Sequence, residues 1–319
     1  MSEHAIDRLE HFPVALVAAV MGLTGLAIAF QKAHHFFGWQ KILFEGTLFL
    51  STAVFIVFIG LYALKAWRYP DAVKKEFAHP IKFNFFAAIS ISLLLQSIVY
   101  YAYLPTLGMA LWLPGTLIHA AITFLAVKLW IGRTYEIAQL NPAWFIPIVG
   151  NILVPVVGVD LLPKEISLYF FSVGLFFWVT LSAVLFHRII FGSPLQDKFM
   201  PTLFILIAPP AIGFVAYLRI AASFDIFAGA LLSLAFFFAS LMLFLLHRFL
   251  KLPFYVSWWA FTFPLDALAI ALTFAAGVTA SPVYRVMAQG ALIAATTVVV
   301  VVAVETVRRI YRREICVEE

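Results

Sequence analysis

Hydrophobic positions in this chain run in ten long blocks, with short polar stretches between them. Blocks without a single charged residue cover 46–64, 83–103, 108–127, 166–186, 199–218, 226–246 and 286–304. Residues 13–30 and 143–159 are charge-free over shorter lengths, and 254–280 carries one acid, Asp266. An α-helix needs roughly 17–25 apolar residues to cross a bilayer. The pattern therefore predicts ten transmembrane helices, at about 12–30, 41–66, 80–103, 108–130, 143–161, 166–190, 199–219, 226–247, 254–280 and 283–308. Short connections make neighbours antiparallel, so the natural unit is an αα-hairpin.

Prolines divide the ten segments into two kinds. Pro13, Pro80, Pro142, Pro201 and Pro253 stand at or near the entrance of every odd-numbered segment, at intervals of 67, 62, 59 and 52 residues. This is a five-fold internal repeat of hairpins. A second set, Pro147, Pro155, Pro209, Pro210 and Pro264, lies deep inside segments 5, 7 and 9; among even segments only Pro114 lies inside. A proline inside a helix removes a backbone hydrogen bond and kinks it. In lipid the freed carbonyl must find protein or water. The expected architecture is an all-α membrane protein with quasi-five-fold symmetry, the odd helices forming an inner ring around a central path and the even helices facing lipid.

Composition agrees. The chain is 64% hydrophobic and 12% charged with a mean hydropathy of +1.02, where soluble proteins carry about 25% charged residues. A single transmembrane domain over 1–319 is expected. The N-terminal stretch, with Glu3, Asp7 and Glu10, lacks the cationic start of a cleavable signal. Sixteen Lys and Arg residues fall on the side of the termini and five (Lys32, Lys41, Lys164, Arg219 and Arg285) on the other. The positive-inside rule then puts both termini in the cytoplasm of a multi-pass protein of the cell inner (plasma) membrane. The net charge of +5 is thus a topology signal, and no nucleic-acid partner is expected. One cysteine, Cys316, excludes an internal disulfide and a thiolate metal cluster. No His pair at helical spacing lies within a segment, so neither a metal, a cofactor nor an enzymatic role is expected.

The densest local run is Ser257-Trp258-Trp259-Ala260-Phe261-Thr262-Phe263-Pro264-Leu265-Asp266. Phe263 sits beside a proline and is a candidate to point into the path. Asp266 lies about 60° around the helix from it. An acid at that depth is either a proton-coupling group or a structural acid held by a neighbouring polar group. Asn151, one turn after Pro147, is the best polar pore candidate; Asn84, Gln96 and His119 read as groups tying helices together.

Several of these runs are similar to one family. His79-Pro80-Ile81-Lys82-Phe83-Asn84-Phe85, Phe145-Ile146-Pro147-Ile148-Val149-Gly150-Asn151, Ile207-Ala208-Pro209 and Trp258-Trp259-Ala260-Phe261-Thr262-Phe263-Pro264 resemble helices 3, 5, 7 and 9 of the tellurite-resistance/C4-dicarboxylate transporter family. That family includes bacterial TehA proteins and the plant guard-cell slow anion channel. The resemblance implies ten helices around a central pore, a homotrimer with one pore per subunit, and Phe263 as the residue that closes the pore. Ala18, Ser90, Pro147, Asn151, Pro209 and Pro264 are expected to line it. Val17–Gly22 has no proline and the kink position of segment 3 falls on Ser90, so helices 1 and 3 are expected to be straighter. The function implied is passage of small anions such as chloride or nitrate. The alternatives are a proton-linked carrier for a C4-dicarboxylate or for an oxyanion such as sulfite or tellurite, with Asp266 as coupling group, and a scaffold or sensor with an occluded pore.

Overall fold

A computed structural model describes residues 8–317; Glu3 and Asp7, on which the reading of the N-terminus partly rests, lie outside the described residues. Among the described residues all regular structure is helical. Ten helices are long and apolar enough to cross a membrane: Val14–Phe37, Lys41–Arg68, Lys82–Tyr101, Pro105–Gly132, Pro142–Leu161, Lys164–Phe191, Asp197–Ala221, Ile226–Phe244, Val256–Thr279 and Pro282–Tyr311. They are called spans 1 to 10 in chain order.

The odd and even spans separate by burial. In the odd spans 67–89% of the most apolar stretch is buried, against 17–33% in the even ones. Each odd span packs on the next odd span, and span 9 packs back on span 1, so the five close a ring. Each even span leans on its own hairpin partner and on the following odd span; span 10 closes the circuit by leaning on spans 9 and 1. The outward faces carry bare aromatic rings such as Phe49, Phe124, Phe176 and Phe244, which suits a hydrocarbon solvent. Five even spans thus form the outer layer predicted from the proline pattern.

Backbone geometry separates the two layers again. The even spans are α-helical from end to end. Every odd span begins as a 3₁₀ helix and changes to α partway: at Ala18 in span 1, Ala87 in span 3, Ile146 in span 5, Ala208 in span 7 and Thr262 in span 9. Span 5 reverts to 3₁₀ over Gly150–Leu153 before finishing as α. A 3₁₀ run as long as the eleven residues of Asp197–Ile207 is unusual.

The deep prolines acquire a different role from the one expected. Pro147, Pro155, Pro209, Pro210 and Pro264 all lie within the first three residues of an α piece. There the missing N–H has no helical acceptor to lose and the fixed φ suits the new helix. They start helices rather than break them. Spans 1 and 3, expected to be straighter, make the same 3₁₀-to-α change without proline.

Two further corrections concern boundaries. Span 1 runs to Phe37, well past the expected end at residue 30, and stops at Gly38 with φ of 72°. Its polar tail is accommodated: the Gln31 amide donates to Val99 O at 3.2 Å, in span 3. The stretch between spans 2 and 3, expected to be a loop, holds the short helix Pro70–Ala78. Buried Lys65 anchors it, donating to Phe12 O at 2.8 Å and pairing with Glu76 at 3.0 Å. The Tyr62 hydroxyl donates to the same carboxylate at 2.7 Å. Near this cluster Ile315 packs with Phe12, Val14 and Leu16, joining the two terminal segments.

Candidate functional site

Two cavities lie inside the ring, one toward each face. The first, about 80 Å³, is walled by the 3₁₀ halves and the switch points of all five odd spans. Its wall is almost wholly apolar and includes Ala18, Pro209, Phe263 and Pro264. The volume admits a handful of waters, at roughly 10–15 Å³ each. The second, about 320 Å³, lies toward the opposite ends of the same spans and carries Lys32, Asp160 and Arg219. Leu153 and Ile212 belong to both walls, so the cavities meet at their level. Two aliphatic residues among so many in this chain gave the sequence no signal for such a constriction.

Phe263 is buried, with 8% of its surface exposed, and its ring lies against span 1. A Cβ built on Gly25 would stand 3.1 Å from Phe263 Cδ2 and 2.8 Å from an Asp266 carboxyl oxygen. One turn earlier, a Cβ on Gly22 would stand 2.1 Å from Thr262 Oγ1. Span 9 therefore approaches span 1 along two glycines. The absence of side chains there seats Thr262, Phe263 and Asp266.

Asp266 lies on neither cavity wall. It is fully buried, and both carboxyl oxygens lack a hydrogen-bond partner among the described residues. It lies at the span 1 interface beside Gly25, as the Phe263 ring does.

Ser90, Pro147 and Asn151 are also absent from both walls. Ser90, the Pro147 carbonyl and Asn151 bond with span 4. The Ser90 hydroxyl is 2.9 Å from His119 Nδ1. Thr123 Oγ1 donates to Pro147 O at 2.9 Å, and the Asn151 amide donates to Thr123 Oγ1 at 2.8 Å and to Ile148 O at 2.7 Å. Trp112, also on span 4, donates to Val154 O at 3.0 Å. The outer span thus adds donors to inner-span carbonyls from behind the wall, where no bilayer water can serve them. Gly150 makes room, since a Cβ there would lie 2.5 Å from the His119 ring.

Among the described residues, no three His, Cys, Asp or Glu side chains gather as a metal site. The arrangement that remains is a pair of neighbouring cavities, one apolar and one charged, with Leu153 and Ile212 in both walls. Such a structure can pass or hold a small solute; it offers no reacting pair of side chains.

Similarity to known proteins points the same way. The chain is 28% identical to the S-type anion channel SLAH2 of Arabidopsis thaliana over 96% of its own length and 61% of the relative's. It is 26% identical to the tellurite resistance protein TehA homolog of Haemophilus influenzae, covering 85% of this chain and 84% of that one. An uncharacterized transporter of Methanocaldococcus jannaschii is 27% identical over 81% of this chain and 82% of its own. The chain spans about 61% of SLAH2 and 48% of the related plant channel SLAH3. The profile of the SLAC1 family, described as voltage-dependent anion channel, matches residues 11–307. The chain belongs to the SLAC1 voltage-dependent anion channel family.

Proposed function

We propose that the protein is a channel for small anions such as chloride and nitrate, with the path running through both cavities and Phe263 as its gate. The observation that carries this reading is the position of Phe263 on the wall of the narrow first cavity. Ala18, Pro209 and Pro264 share that wall and form the path beside it. Conduction needs attraction strong enough to admit an anion and weak enough to release it. An apolar bore with charge only in the second cavity meets both needs. In this reading the protein is a homotrimer in the cell inner membrane, as the family resemblance implies, and the Lys and Arg distribution supports both termini in the cytoplasm.

The second reading is a proton-linked carrier for an oxyanion or C4-dicarboxylate, for which Asp266 was the sequence argument. Its position off both walls removes most of that argument. Flux measured in proteoliposomes tests the first reading. Chloride and nitrate movement that follows the membrane potential, without a proton gradient, supports it. Flux that stops when the proton gradient is collapsed contradicts it.

A further inference from the structure

The second cavity has a charge balance that the topology rule does not explain. Lys32 comes from span 1, Asp160 from span 5 and Arg219 from span 7. Arg219 is engaged twice. Its Nε donates to Val156 O at 3.1 Å, and its guanidinium pairs with Asp160. That pairing occupies the only carboxylate on the wall among the described residues. Lys32 pairs with no acid among the described residues. Its ammonium stands 5.2 Å from the centroid of the Phe274 ring, on the same wall. An aromatic face draws one side of an ammonium and leaves N–H donors to spare. The cavity therefore holds two cations against one carboxylate, with the surplus charge at Lys32. Low-dielectric walls concentrate the field of such a charge inside the cleft.

We propose that this vestibule is an anion-holding site in which Lys32 binds one monovalent inorganic anion and Asp160 limits how tightly. This rests on the anion-channel reading and adds the residues that choose the charge. The net charge of the three side chains balances one negative charge, so a monovalent anion is preferred over sulfate. Asp160 keeps Arg219 occupied. Without it a second free cation would face the anion and slow its departure, against the weak binding that conduction requires.

The test uses the full chain in liposomes, with Phe263→Ala as the common background so that flux is measurable. Nitrate flux is followed against nitrate concentration at low ionic strength. Lys32→Gln is expected to raise the half-saturating nitrate concentration by about ten-fold, and Lys32→Arg to restore it. Asp160→Asn is expected to lower the half-saturating concentration and also the maximal flux. Unchanged saturation in Lys32→Gln with strong flux overturns the vestibule site and leaves the channel reading standing. If no variant passes nitrate, the channel reading fails, and the site is judged by binding alone. Nitrate then raises the melting temperature of the detergent-solubilised wild type and leaves Lys32→Gln unmoved; equal shifts in both overturn the site.

Discussion

Phe263 rests on Gly25: a methyl group added at Gly25 would meet the Phe263 ring at 3.1 Å and the Asp266 carboxyl at 2.8 Å. The ring's seat is therefore set by a missing side chain on a different span. Gly25→Ala is expected to force span 9 off span 1. Overpacking of this kind costs about 1–3 kcal/mol. The variant should melt at lower temperature in detergent and pass more anion than the wild type, because the ring is displaced. Asp266→Ala added to it removes the carboxyl contact but keeps the residue's Cβ at 3.0 Å from the new methyl group, so it should recover only a small part of the lost stability. A Gly25→Ala protein with unchanged melting and unchanged flux would show that the seat does not hold the ring.

Asp266 separates channel from coupled carrier. Its carboxyl oxygens have no hydrogen-bond partner among the described residues and reach neither cavity. Asp266→Asn keeps the shape and removes the ability to ionise. Anion flux and its pH dependence are expected to stay within about two-fold of wild type, a barrier change of roughly 0.4 kcal/mol. Loss of flux driven by a proton gradient in this variant would reinstate the carrier.

Thr123 on span 4 links Pro147 O to Asn151. Thr123→Val keeps the volume and deletes the hydroxyl. It leaves a buried carbonyl short of a donor, at a cost of about 1–3 kcal/mol. Thermal unfolding should show the loss, while ion selectivity, set by walls that Thr123 does not touch, should stay the same. A change of selectivity with normal stability would return these polar groups to the pore.

The pair Lys65–Glu76 ties the end of span 2 to the short helix and, through Phe12 O, to the approach to span 1. Breaking one partner of a buried pair costs about 3–5 kcal/mol. Glu76→Gln is expected to destabilise strongly, and Lys65→Met with Glu76→Gln to recover most of the loss. Proteolysis at the face carrying the termini would read it out, since the short helix should be released first.

How far the sequence discloses this protein differs from feature to feature. Ten spans and their two layers are legible because charge-free length and proline placement are properties of each segment by itself. The 3₁₀-to-α change in spans 1 and 3 is not legible, since no deep proline marks it. Ser90 and Asn151 mislead for a physical reason. A polar side chain in a membrane helix serves a water-filled path or a stranded carbonyl equally well, and spacing along one helix cannot tell which. Here it is the carbonyl. Which of its two roles Asp266 takes is not legible because its neighbour is Gly25, on a helix far away in the chain. Lys32 and Arg219 were counted only as topology charges, and their convergence on one cavity needs spans 1, 5 and 7 to be assembled.

Phe263→Ala is the most direct test of the central claim that a phenylalanine closes an otherwise continuous anion path. Wild type and variant are reconstituted at equal protein, and chloride and nitrate flux are compared at a fixed membrane potential. The account predicts a rise of at least about ten-fold in the variant, equivalent to about 1.4 kcal/mol off the barrier, with anions still preferred over potassium. Flux in Phe263→Ala no greater than in wild type, with the variant folded and inserted, would contradict it.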